Sequence, residues 1–136
     1  MLAESILCLA LNAYFEARNE GPIGMAAVSQ VVFNRAASND RRWPSEVCAV
    51  IEQGGERPLH RCQFSWRCDG KSDVPRDARR WREALIVAEA MVVGGWRVRA
   101  LDGATCYHAA NMQAPPRWAG RSRPVGRIAG HLFYAC

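Results

Sequence analysis

"NAYFEARNEGPIGMAAVSQVVFNR", residues 12–35, joins two helix-patterned runs through a short polar break. In the run before the break, Leu2, Ile6, Leu9, Ala10, Ala13 and Tyr14 fall on or near one face, which predicts a helix over residues 2 to about 17. "NEGP" (19–22) ends it: glycine suits the position after a helix, and proline the first turn of the next. The second helix is predicted over 22 to about 38. Ile23, Ala27, Val31 and Asn34 share one face, with Val28, Val32 and Arg35 beside it. Two glutamates flank the break, Glu16 and Glu20, four residues apart. Such carboxylates can cap a helix, sit in solvent or do acid chemistry.

Outward from this hairpin, "SNDRRWP" (38–44) is a polar connection, and Ser45 to Gln53 makes a short third helix. The stretch "GGERPLHRCQFSWRCDGKSDVP" (54–75) is punctuated by Gly and Pro. It predicts a loop with a short strand or hairpin around Gln63 to Arg67. A long helix then starts at Asp73 or Asp77 and runs to about Val93, with Trp81, Ala84, Leu85, Ala88, Met91 and Val92 inward. "GG" at 94–95 stops it. Short strands are expected in "ATCYHAA" (104–110), "PPRW" (115–118) and "GHLFYAC" (130–136). Helices first and a small sheet later predict an α+β fold, with residues 1–136 forming a single domain.

Eighteen basic and thirteen acidic residues give a formal charge of +5, and Lys71 is the only basic residue that is not arginine. This suits either a plain solvated surface or attraction to a polyanion such as nucleic acid, a membrane surface or a cell wall. Six cysteines are many for a cytosolic chain of this size. They point to disulfides and an oxidising destination, with six buried thiols as the alternative. Cys62 and Cys68 are the most plausible local pair; the other pairings stay open. "ILCLALNAYF" (6–15) is too short to span a bilayer and lacks a basic lead-in, so it reads as a buried helix. A chain acting outside the cytoplasm would then need a trimmed leader or another route of export.

Metal is a weak reading. His60, Cys62, Cys68, Cys106, His108 and His131 lack paired zinc-ligand spacing, and Asp69 and Asp73 do not form a calcium loop. Cys106 and His108 could face the same way on a strand, but nothing marks a reactive thiolate. "GGWRVR" (94–99) follows a helix rather than a strand, so it is no phosphate loop. "RRW" recurs at 41–43 and 79–81, as in single-strand binders, yet Trp81 is expected in the core. Neither cofactor nor metal is expected, nor nucleic acid as a partner.

The carboxylates remain. Glu46, Glu52, Glu56, Glu83 and Glu89 scatter over polar faces. Glu16 instead follows Tyr14 and Phe15 at the C-terminal end of a mostly buried helix. Desolvation and the helix terminus both raise a carboxyl pKa there, as a general acid requires. The plainer alternative is a helix-end glutamate paired with Arg18 or Arg35.

The opening stretch, followed by "WPSEVCAVI", "CQFSW", "ATCYHA", "PRWA" and "GHLFY", resembles the SleB-type cell wall hydrolases, from about Ala10 to Tyr134. Each motif is short; their number, order and spacing carry the resemblance. It implies a compact lysozyme-like fold, mostly helical with a small β-sheet. It implies cleavage between N-acetylmuramic acid and N-acetylglucosamine in peptidoglycan glycan strands. The family's catalytic glutamate falls on Glu16. Glu20, Gln63, Phe64, Ser65, Tyr107, His108 and Trp118 match supporting or substrate-binding positions. A single acid without a strong second carboxylate fits a lytic transglycosylase better than a hydrolytic muramidase. Glu20, beyond the break, is expected to orient the loop or accept N–H bonds at the start of the second helix. Trp118 and Trp66 are candidates for stacking on sugars, with core packing as the alternative for each. The expected molecule is a monomer without stable membrane insertion, acting in the periplasm or wall. Holin-dependent release, as for a phage endolysin, is one export route compatible with this picture. A non-catalytic wall-binding module is the competing class.

Overall fold

Helix α1 (Leu2–Ala17) packs against helix α2 (Gly21–Ala37), the short α3 (Val47–Glu52) and the long α4 (Ala78–Val92). The computed structural model describes residues 1–55 and 61–136; Glu56 and His60 of the sequence reading lie outside the described residues. The α1–α2 break falls where predicted. Gly21 takes φ +75°, a conformation that side-chain-bearing residues rarely adopt, and Pro22 sits in the first turn of α2.

Small side chains set the helix spacing. Ala10, Ala13 and Ala17 of α1, Ala26 and Ala27 of α2, and Ala84 and Ala88 of α4 are all buried. Their lack of bulk lets the backbones approach, while Leu9, Val28, Val31, Val32 and Met91 fill the space between. Each such Val, Leu or Met contributes about 1.5–3 kcal/mol by leaving water. Leu2 and Ile23, expected on the apolar faces, are exposed. Both lie in a first helical turn, before the helix meets its neighbours.

Helix α4 starts after Asp77, not Asp73. The Asp77 carboxylate accepts the Arg80 backbone N–H at 3.1 Å and caps the first turn. Trp81 is only partly buried, with its ring edge-on to Tyr14.

The tail forms a three-stranded antiparallel sheet in the order β1–β3–β2, with β1 at Cys106–Ala109, β2 at Arg123–Ile128 and β3 at His131–Ala135. Two expected strands are absent. "PPRW" leads into a short 3-10 helix at Arg117–Arg121, since consecutive prolines remove the donors a ladder needs. Around Gln63 to Arg67 the chain makes a 3-10 helix at Ser65–Cys68. The Cys62–Cys68 disulfide holds those Cα atoms 6.0 Å apart, whereas extended chain of that length would span about 20 Å. Strand β2 was not expected, because it contains Pro124 and Gly126. It tolerates both as an edge strand with a register shift between them.

All six cysteines are paired: Cys8–Cys48, Cys62–Cys68 and Cys106–Cys136. The first joins α1 to α3. The last ties the start of β1 to the end of the chain described. Pairing removes the cysteines from the list of candidate metal ligands. Among the described residues no group of three or more His, Cys, Asp or Glu is placed to hold an ion. No described helix is long and apolar enough to cross a membrane.

Candidate active site

The last turn of α1 is the hub of the molecule's cleft. Asn12, Tyr14 and Phe15 each tie down a different piece of its wall. Asn12 Oδ1 accepts the Trp66 indole N–H at 2.8 Å. Tyr14 Oη accepts the backbone N–H of Asp77 at 3.0 Å and a bond from Arg18 at 3.0 Å. Phe15 stacks on Trp66 with ring centroids 5.0 Å apart. Glu16, the next residue, is half-buried at the centre.

Three hollows meet at Glu16, and it is the one residue common to all three. The first, about 380 Å³, runs past Phe15, Trp66 and Ser65 toward Asp69, Asp73 and Arg76. The second, about 180 Å³, is bounded by Arg35, Gln63, Phe64, Tyr107 and Trp118. The third, about 390 Å³, reaches Glu20, Asn111, Arg127 and His131. A carboxyl that lines three hollows can be reached from more than one side.

Tyr107, from β1, donates its hydroxyl hydrogen bond to Glu16 Oε1. Burial and the nearby Glu16 charge push the Tyr107 pKa well above its ordinary value, so the phenol keeps its proton and acts as donor. Burial also raises the Glu16 pKa. The Tyr107 bond and the charges of His131 and Arg35 pull the other way, and Glu20 adds to the rise. The net effect holds a proton on Glu16 to higher pH than an ordinary glutamate.

Glu20 does not bond to α2. Its Oε1 accepts the backbone N–H of Gly130 at 2.8 Å, and His131 Nδ1 lies 3.0 Å from it. The N–H it accepts thus belongs to the β2–β3 turn rather than to the start of the second helix, which corrects the second of the two roles expected for it. The Glu20 side chain lies against Gly24: a Cβ there would lie 2.5 Å from the Cβ of Glu20 and 3.4 Å from that of Ala129 in the turn.

The other expected residues divide. Gln63, Phe64, Ser65, Tyr107 and Trp118 all line hollows that contain Glu16. His108 lines none of the three. It is buried beneath the sheet, hydrogen-bonded to Tyr134 Oη at 2.9 Å, stacked on that ring and edge-on to Trp118. Strand alternation accounts for this, since neighbours 107 and 108 face opposite ways. Trp66 is 6% exposed and serves as cleft floor and core at once.

Asp69 and Asp73, which form no calcium loop, share the first hollow with Glu16. His131 and Arg35 also matter more than their sequence context suggested. The sequence signals for Arg35 were a charge beside the apolar face of α2 and its candidacy, with Arg18, as a partner for Glu16. His131 carried no local signal beyond its place in "GHLFY".

The family model for cell wall hydrolases matches residues 19–134. The chain belongs to this cell wall hydrolase family. The match begins three residues after Glu16, so the case for Glu16 rests on the geometry above. Two solved structures share the fold. One is the catalytic domain of the germination-specific lytic transglycosylase SleB from Bacillus anthracis, 23% identical, covering 96% of this chain and 93% of that one with a TM-score of 0.66. The other is the catalytic domain of the Bacillus cereus SleB protein, also 23% identical with a TM-score of 0.66, covering 97% and 90%. Among curated proteins none matches the chain significantly.

Proposed function

We propose that the protein cleaves the glycan strand of peptidoglycan between N-acetylmuramic acid and N-acetylglucosamine, as a lytic transglycosylase with Glu16 as acid and then base. The observation that carries this reading is Glu16, its pKa raised by burial, lining three hollows at once. Family membership and the fold shared with the SleB catalytic domains support it.

Glu16 Oε1 accepts from Tyr107, which leaves Oε2 to carry the proton. That proton passes to the bridging oxygen as the bond from the muramic anomeric carbon breaks and oxocarbenium character develops. The resulting Glu16 carboxylate takes the proton of the muramic 6-hydroxyl. Its oxygen then bonds to the anomeric carbon, giving a 1,6-anhydro end without water. Gln63 and Ser65 offer hydrogen bonds to sugar substituents, and Trp118 a ring face. Residues 1–136 act as one catalytic domain at the wall, where disulfides persist.

Asp69 and Asp73 support a second reading. Either, across the first hollow from Glu16, could activate water, making the enzyme a muramidase. Mass spectrometry of digested peptidoglycan separates the two. Anhydromuramic ends are expected, reducing ends would establish the hydrolase, and intact strands would overturn both.

A further inference from the structure

Arg35 is a buried charge with no carboxylate at ion-pair distance among the described residues. It is 7% exposed, and none of the ion pairs among the described residues includes it. Its Nε donates to the Thr105 carbonyl at 2.7 Å, a bond that ties α2 to the strand region. Its terminal nitrogens have only long contacts, 3.5 Å to Gln63 Oε1 and 3.9 Å to Cys106 Sγ. The guanidinium lies over the rings of Trp43 and Phe64, at 5.3 and 5.5 Å from their centroids. A neutral side chain could make the Thr105 bond without the cost of desolvating a cation. What the charge adds is in front of it: the second hollow, shared with Glu16 and Tyr107.

We propose that Arg35 is a positioning residue that supplies the counter-charge for the Glu16 carboxylate in the interval after Glu16 has given up its proton and before it takes one back. This rests on the reading of Glu16 as acid and base. Other charged or titratable groups face Glu16 from every side of the cleft. From β1, Tyr107 offers a hydrogen bond but no charge. From β3, His131 is engaged by Glu20, whose own charge opposes a Glu16 carboxylate. Arg18 is exposed and bonded to Tyr14 Oη. In the first hollow Lys71 and Arg76 are exposed and share the space with Asp69 and Asp73, and in the third Arg127 is exposed to screening water. Of these cations Arg35 alone is both buried and permanently charged, and no ion pair among the described residues includes it. Burial makes Glu16 hold its proton, and Arg35 makes the deprotonated form accessible. A carboxyl that must first give and then accept a proton needs both.

The test reads the Glu16 carboxyl directly, by carbon NMR titration of the substrate-free protein labelled at glutamate, with the Glu16 signal identified by its loss in Glu16→Gln. In Arg35→Gln the midpoint should rise by about one pH unit or more. In Arg35→Lys, which keeps the charge but not the fork, it should stay within about half a unit of the wild type. The alkaline limb of the lysis rate should move with the midpoint. A folded Arg35→Gln protein with an unmoved midpoint overturns the proposal. If that variant does not fold, Arg35→Met, which removes the charge but fills the space between Trp43 and Phe64, replaces it: a rise of about one unit upholds the proposal, and an unmoved midpoint overturns it. The titration needs no substrate, so its failure is distinct from failure of the catalytic reading, which Glu16→Gln lysis assays test separately.

Discussion

Helices α1, α2 and α4 bury Leu9, Ala13, Val28, Val31, Ala88 and Met91 completely, whereas the cleft walls at 61–77 and 104–135 keep many of their residues exposed. The helical half is held by apolar burial, with Cys8–Cys48 as one staple to α3. The walls carry the other two disulfides, Cys62–Cys68 and Cys106–Cys136. They are pinned to the helical half by polar bonds, among them Trp66 to Asn12, Tyr107 to Glu16, Asp77 to Tyr14, Arg35 to Thr105, Asn34 to Ala104, and Gly130 and His131 to Glu20. The difference follows from the task. Walls that line an open groove cannot bury both faces, so directional and covalent ties add to the burial of Phe64, Trp66 and Phe133 there.

The largest expected effect breaks function and stability apart at one atom. Glu16→Gln keeps an acceptor for Tyr107 but has no proton to transfer. Lysis should fall about a thousandfold, within the range for general acid catalysis. Stability should move the other way. The folded state favours the neutral carboxyl, so the wild type's stabilisation is full below the ordinary glutamate pKa and is lost as pH rises through the raised folded value. Melting temperatures of variant and wild type should therefore agree near pH 4 and favour the variant near pH 8. Equal differences at both pH values would refute the assigned burial effect.

A deletion in the helical half should do the reverse. Leu9→Ala opens a cavity among fully buried neighbours and should cost about 2–5 kcal/mol in urea unfolding. Lysis at low temperature should stay near wild type, because no cleft residue touches solvent differently.

Replacing Cys62 and Cys68 with serine tests the wall. The loop closed by this bridge is short, so stability should fall by only about 2 kcal/mol. Activity should fall further, about tenfold or more, because Gln63, Ser65 and Trp66 lose their fixed placement. Activity that tracks stability alone would erase the distinction between the two regions.

The smallest effect belongs to Glu20→Gln, which weakens the bonds to Gly130 and His131. About 1 kcal/mol of stability should be lost in urea titration, with a smaller change in lysis than for Glu16→Gln. A Glu20→Gln protein as inactive as Glu16→Gln would mean that both carboxylates take part in the reaction.

Much of this molecule was legible locally. The break at "NEGP", the helix boundaries and the Cys62–Cys68 pair depend on residues within a few positions of each other. So did the suspicion about Glu16, which rests on Tyr14, Phe15 and a helix end. The edge strand Arg123–Ile128 was hidden because Pro124 and Gly126 argue against a strand unless an unpaired edge is known. The 3-10 helix at Ser65–Cys68 was hidden because a disulfide, not propensity, sets its path.

Sequence alone determined which segments become helices, where the first hairpin breaks, and which glutamate lies on an apolar terminus, because periodicity and capping act over one or two turns. Only the tertiary structure decided that burial raises the Glu16 pKa while Tyr107, His131 and Arg35 pull it down, and that Glu20 binds a turn 110 residues away. Desolvation and charge coupling depend on what packs within a few ångströms. That depends on how α1, α2 and the sheet close around one another, which no local pattern encodes.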